Sequence, residues 1–469
     1  MENKKMKTVS WMLEVRCTKE ENFHFYNLTS SFYPHLSILF RLTSNLYLLT
    51  SISHRLSSNF YLFYILTPIL FAITSQATAQ NLQTYQQYAA ENNPGLLAKY
   101  KTFEAALEKV PQAKSLQDPT LSFGFFISPI ETRVGPQQAR LSLTQLFPWF
   151  GTLKANSNVA ALQAEAKYQI FLDQKNNLYY QVAAAYYPIY EQDKWLTLEQ
   201  ENIKILTSYK AIATSKFENA EGSLADVLRV DLMLKDAETS ITILEKKKES
   251  LLYVFNKLLS REKTSPVEIP DSLNVLNAIT ILNEDSLFTE NPKVATLELK
   301  IKASEMQEIL IAKQGLPKLG IGLDYMIVGQ RQDILNLEDN GRNALMPMLS
   351  LSLPLYRGKY KAAIKETQLT QESYALEKEN VINGLSSSYE STSFELFQQE
   401  ELIQLYQEQI SQTQQVLNLL LSAYSNSGNE FEEVLRVQQQ LLEYQKMKAT
   451  ALTKYQIDLA KLNYLTSRN

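Results

Sequence analysis

The sequence predicts a mainly α-helical protein with a small antiparallel β portion, built twice over. Three observations carry that reading. Two stretches alternate apolar and small or polar residues, as half-buried strands do. Each is followed by a very long stretch, rich in Ala, Leu, Gln, Lys and Glu, in which glycine is scarce. The landmarks around both recur in the same order.

The first alternating stretch organises the chain. Leu121, Phe123, Phe125 and Ile127 alternate with Thr120, Ser122 and Gly124. After a loop with Pro129, Gly135 and Pro136, Leu141 and Leu143 alternate with Arg140, Ser142 and Thr144. The spacing predicts strands over 119–127 and 139–147. Pro148 and Gly151 break the second strand, and a helical pattern runs over 152–217. Pro188 is expected to kink it. The turn signal Glu218–Ser223 precedes a returning helix over 224–259. A Pro-containing connector, 260–290, is expected to pack outside the helices. Ahead of the hairpin, Thr84–Ser115 reads as helical, and Asn93-Pro94 looks like a helix start.

Asn291-Pro292 then repeats Asn93-Pro94, and Leu316-Pro317 stands where Asp118-Pro119 stood. Strands are predicted over 318–328 and 344–355, and long helices over 358–425 and 429–466. Lys361-Ala362 answers Lys154-Ala155, and Val434–Val437 echoes Val227–Val230. The chain therefore divides into a first repeat, 80–290, and a second, 291–469.

The front end, 1–79, stands apart. Phe60–Ile73 is apolar, follows His54 and Arg55, and leads to Ala77-Thr78-Ala79. This is the pattern of a secretory signal peptide with cleavage after Ala79. An unusually long extension precedes it, as from a start site set too far upstream. Removal of 1–79 takes away Cys17, His24, His35 and His54, leaving no cysteine or histidine. No disulfide framework and no thiolate or imidazole ligand then remain. The mildly acidic remainder does not suggest a nucleic-acid partner. No later run of eighteen apolar residues predicts a transmembrane helix, but a membrane barrel leaves a weaker signal.

The helices all leave one side of the strands and are too long to fold back into an ordinary globule. They can bury apolar seams only against each other or against other subunits. Four strands cannot close a barrel, and their edges invite pairing. Three subunits of four strands would close one.

The ordered set NPGLLAKYKTFEAALEKV, QLFPWFG with its partner LPLYRG, FENAEGSLADVLRV and YSNSGNEFEEVLRV resembles the TolC-like outer-membrane efflux protein family. The resemblance spans 81–469. It implies a homotrimer with a 12-stranded β-barrel in outer-membrane lipid and a long α-helical barrel reaching into the periplasm of a Gram-negative cell. It further implies a periplasmic adaptor (membrane fusion) protein and an inner-membrane transporter as partners, with no cofactor and no catalysis. The expected function is an exit duct of a tripartite efflux or type I secretion system. The alternative is a soluble periplasmic coiled-coil scaffold without channel activity.

Sites follow from the same resemblance. Adaptor-docking tips are expected at Phe217, Gly222, Ser223 and Leu224, and at Tyr424, Gly428, Asn429 and Phe431. In the family a glycine follows the tip aromatic by three positions; Gly222 and Gly428 come later. A periplasmic gate is expected at Glu433 and Arg436, with Asp226 and Arg229 as first-repeat equivalents. Each acid stands one helical turn from its arginine. The family has a second acid where Arg436 stands, so a cation-binding double ring is not expected. Phe147, Trp149 and Phe150 are candidate membrane-interface anchors. Tyr179, Tyr180, Tyr186, Tyr187 and Tyr190 are read as seam fillers, and Lys246–Lys248 as a solvated face. Leu121, Phe123, Phe125, Leu141, Leu143, Leu319, Ile321, Leu323, Leu349 and Leu351 are expected to face lipid. Ser122, Ser142, Thr144, Asp324, Ser350 and Ser352 are expected to face a lumen.

Overall fold

The computed structural model describes residues 82–275, 288, 290–334, 336–427 and 431–468. The signal-peptide reading, Cys17, the histidines, Gly428, Asn429 and part of the connector lie outside them.

The first repeat opens with α1 (Leu82–Asn92), α2 (Pro94–Leu107) and α3 (Lys109–Lys114). The helical stretch over 84–115 divides at Asn93-Pro94, as the sequence signals, and once more at Glu108, which it did not signal. Pro94 lacks the N–H that would continue α1, so Asn93 takes an extended conformation and starts a new helix. Pro111 follows two residues into α3. The hairpin is β1 (Thr120–Thr132) and β2 (Gly135–Phe147). Both strands run further into the turn than predicted, because Pro129 lies within β1 rather than in a loop. That strand is at the sheet edge, and a register shift between Phe125 and Ile130 accommodates the proline. Then come α4 (Thr152–Glu218) and α5 (Leu224–Leu258). Helix α4 runs through Pro188 as one element of 67 residues, roughly 100 Å at 1.5 Å per residue.

The second repeat is α6 (Pro292–Gln314), β3 (Lys318–Val328), β4 (Ala344–Ser352), α7 (Gly358–Ser427) and α8 (Phe431–Thr466). Strand β4 stops three residues short of its predicted end. After Ser352 the backbone turns, with Leu355 N–H donating to the Leu353 carbonyl at 3.0 Å.

All four strands form one antiparallel sheet in the order β1-β2-β3-β4. The β2–β3 pairing joins the repeats, and β1 and β4 are open edges. Helices α4 and α8 pack together, with α5 on the far side of α4 and α7 on the far side of α8. Nearer the sheet the order is α3, α4, α6, α7.

The duplicated Asn-Pro step has a structural cause that the sequence did not disclose. Asn93 Oδ1 accepts from Leu96 N–H, and its amide donates to the Leu258 carbonyl at the end of α5. Asn291 Oδ1 accepts from Lys293 N–H, and its amide donates to the Leu465 carbonyl near the end of α8. One side chain thus caps the start of one helix and the end of another, in both repeats. The described start of the connector packs against the helices: Tyr186 Oη donates to the Glu268 carbonyl, and Asn256 Nδ2 to that of Ser265.

Of the tyrosines, Tyr186 and Tyr190 are buried and Tyr180 stacks on Tyr464. Burial raises the pKa of Tyr187 to about 12. In the lysine run, Lys246, beside Glu249, and Lys247, with the Trp195 ring of α4 5.8 Å away, are exposed as expected, whereas Lys248 is half-buried and pairs with Asp193 of α4. No described helix is long and apolar enough to cross a membrane.

Candidate functional site: sheet faces, joint and helix tips

The sheet has two chemically different faces. Along β3, Leu319, Ile321, Leu323 and Tyr325 are exposed while Gly320, Gly322 and Asp324 are buried. Pairing carries the apolar rows across the strands: Leu121 opposes Leu143, which opposes Leu323, and Leu319 opposes Leu351. The other rows join Ser122, Ser142 and Asp324. Asp324 is fully buried, pairs with Arg140, and accepts from Ser142 Oγ. Arg140 also reaches Met348 Sδ at 3.7 Å. The face that carries Asp324 is less polar than expected. Met346 and Met348 share the parity of Ser350 and Ser352, so they and Leu146 stand on it too.

Where the sheet meets the helices, Trp149 and Phe150 touch at a 6.0 Å centroid distance. Phe150 is 86% exposed, and Phe147 is half-buried opposite Leu319. In the second repeat Tyr356, also 86% exposed, follows Pro354 by two positions, as Phe150 follows Pro148. Tyr356 was not among the expected residues at this joint, although the repeated proline step was the signal that locates it.

At the opposite end of the helices the two turns differ. In the first, Ala220 has φ 61°, and Glu221 N–H donates to the Lys216 carbonyl. A Cβ on Gly222 would stand 3.0 Å from Lys216 Cβ, so a larger residue there would push the turn apart by a few tenths of an ångström. Ser223 caps α5 through Ala225 N–H, and Phe217 and Leu224 are exposed. In the second, Tyr424 and Phe431 are buried and stack at 4.6 Å. They share a core with Leu206, Tyr209, Val230 and Val434. Docking through these two rings is therefore corrected: their apolar surface is used inside the chain. Lys216 fastens one turn to the other, donating to the Tyr424 carbonyl at 2.8 Å and lying 4.6 Å above its ring.

The gate candidates form two ion-pair groups. Arg436 holds both carboxylate oxygens of Glu433, which keeps that carboxyl below the usual range. Arg229 lies 3.5 Å from Asp226 and 2.9 Å from Glu432. The second contact links α5 to α8, and Glu432 was not among the expected gate residues. All three acids stand in the first turn of their helices, where the helix dipole also favours negative charge.

Residues 285–467 match the model of the family described as Outer membrane efflux protein. No curated protein gives a significant sequence match. Several solved structures share the fold. A membrane protein from Pseudomonas aeruginosa aligns with a TM-score of 0.68 at 14% identity, covering 82% of this chain and 93% of its own. CusC, described with conformational changes accompanying folding and transmembrane channel formation, gives 0.68 at 14%, covering 82% and 91%. The open state of the Neisseria gonorrhoeae MtrE outer membrane channel gives 0.65 at 15%, covering 82% and 88%.

Proposed function

We propose, from the premise that the second repeat is an outer membrane efflux protein domain, that the chain is an outer-membrane exit duct. It passively conducts cargo delivered by an inner-membrane transporter and a periplasmic adaptor, in an efflux or type I secretion assembly. One observation carries the reading. A four-stranded sheet exposes an apolar row on one face, buries Gly320, Gly322 and Asp324 on the other, and leaves both edges unpaired. An open edge with an exposed apolar face is a liability in water, and closing a barrel in lipid removes both defects.

The edges set how copies join. Strand β1, helices α1–α3 and α5 lie on one flank; β4 and α7 lie on the other. Apolar side chains stand out on both flanks, Leu228 and Leu232 on α5 and Phe394, Phe397 and Leu419 on α7. Unlike flanks meeting head to tail close a ring, and three copies give a twelve-stranded barrel continued by a tube of helices. Mature chains cleaved after Ala79 should fractionate with outer membranes and run as trimers by native mass spectrometry. A water-soluble monomer would instead favour the scaffold reading.

Within this duct, Phe147, Trp149, Phe150 and Tyr356 are the interface anchors. The adaptor meets the first-repeat turn, Phe217 to Leu228, and, in the second repeat, Gly428 and Asn429. Crosslinks from Ser223 and Asn429 should trap it, whereas capture from mid-helix positions alone would exclude the turns. Glu433–Arg436 and Asp226–Arg229–Glu432 ring the closed periplasmic end. No residue is assigned a catalytic role.

A further inference from the structure

A cavity of about 750 Å³ lies where the sheet joins the helices, within the size range of small-molecule sites. Its walls come from α3, α4, α6 and α7 and from the near ends of β2 and β3. Helices α3 and α7 are at opposite edges of that layer, so the cavity spans its width. Lys318, on the wall, shares the parity of Gly320, Gly322 and Asp324.

The chemistry of the wall is one-sided. Lys313, Lys318 and Lys359 line it, and among the described residues no aspartate or glutamate does. Among the described residues none of the three lysines has a salt-bridge partner. Two long helices start here, α4 at Thr152 and α7 at Gly358, and neither has an acid in its first turn. Their N-termini add partial positive charge. Lys313 suits the C-terminus of α6, but its Nζ lies within 3.2 Å of where a Cβ on Gly151 would be, beside the positive start of α4. Thr152 is only 7% exposed, yet its Oγ1 has no hydrogen-bond partner and its residue forms part of the wall. Leu146 and Trp149 supply an apolar surface beside the lysines.

Cations at helix N-termini with no counter-charge are electrostatically incomplete, and an oxyanion completes them. We propose that this cavity binds an organic oxyanion, a phosphate or sulfonate carried on an apolar body. The oxyanion sits among Lys313, Lys359, Thr152 and the start of α4, and the apolar body lies on Trp149 and Leu146. That the bound anion is also cargo rests on the duct reading; the binding itself does not.

The test uses the full chain purified in detergent, with 1-naphthyl phosphate as the probe. Saturable binding by titration calorimetry is expected, weakened by raised salt and competed by inorganic phosphate. Neutral 1-naphthol should bind at least tenfold more weakly. The double variant Lys313→Gln/Lys359→Gln should lose at least tenfold, Lys313→Arg should retain binding, and Lys246→Gln on the outer face of α5 should change nothing. Unchanged trimer content and melting temperature show that the variants fold. Equal binding of phosphate and naphthol, or indifference to the double variant, overturns the site.

A second arm measures the reversal potential in planar bilayers under a KCl gradient. Lys313→Glu should move it toward cation preference. A protein that binds the probe through these lysines but conducts nothing supports the anion site and defeats the duct. Conduction with a reversal potential unmoved by Lys313→Glu, together with lysine-independent binding, does the opposite.

Discussion

The two helix turns follow one repeated plan, yet they bury corresponding positions differently. Leu224, at the start of α5, is 50% exposed, whereas Phe431, at the start of α8, is 2% exposed and stacked on Tyr424. The neighbours explain the difference. Helix α8 lies between α4 and α7 and so has apolar partners on two sides, while α5 packs on α4 and leaves its other flank open. Duplication supplied two copies of a backbone, and position in the layer then gave them different duties. The second turn builds the core of the tip, and the first presents surface.

The largest expected effect breaks that contrast directly. Phe431→Ala removes a buried ring and should cost about 3–5 kcal/mol. Phe217→Ala, at a half-open position, should cost about 0.5 kcal/mol and act instead on adaptor affinity. Denaturant melts of the two variants check the first, and adaptor pull-down checks the second. Equal destabilisation would mean that the turns are interchangeable.

The sheet offers a comparison of faces rather than of repeats. Leu351→Arg, on the exposed apolar row, should cost roughly 2–4 kcal/mol near mid-membrane, and Ser352→Arg much less. Refolding into lipid vesicles measures both. Similar losses would contradict the assigned faces.

The ion pairs sharpen the contrast at the tips. Arg229 serves acids on both repeats, while Arg436 serves one acid on its own helix. Arg229→Ala should therefore raise single-channel conductance more than Arg436→Ala or Glu433→Ala. The reversal Glu433→Arg with Arg436→Glu should partly restore closure. Indifference to all of these places the constriction elsewhere.

A small, pH-dependent effect lies along α7 and α8. Burial, helped by Glu395, raises the Asp458 carboxyl to about 6, against Lys461 and Lys454. An acid with a raised folded-state pKa destabilises once the unfolded chain can ionise, so the penalty grows from about pH 4 and is complete above about pH 6. The site is half-exposed, and solvent screening reduces the cost to about 1 kcal/mol. Asp458→Asn should stabilise the protein slightly at pH 7.5 and not at pH 4, as thermal melts would show.

Much of this was legible because local signals repeat. Alternation located the hairpins, and Asn-Pro located the helix starts in both repeats. What escaped depended on distant partners. Lys248 looks like the rest of a solvated run until Asp193 is brought against it. Tyr424 and Phe431 look like docking aromatics until α4 covers them with Leu206 and Tyr209. Pro129 suggests a loop, and only an edge position makes it compatible with a strand.

The central claim is that two unlike flanks of one chain close into a conducting tube. Its most direct test is planar-bilayer recording on the purified mature protein, paired with native mass spectrometry of the same sample. The account predicts discrete, uniform conductance steps from a trimeric species. Trimers that never conduct, or conductance from a fraction containing only monomers, would contradict it.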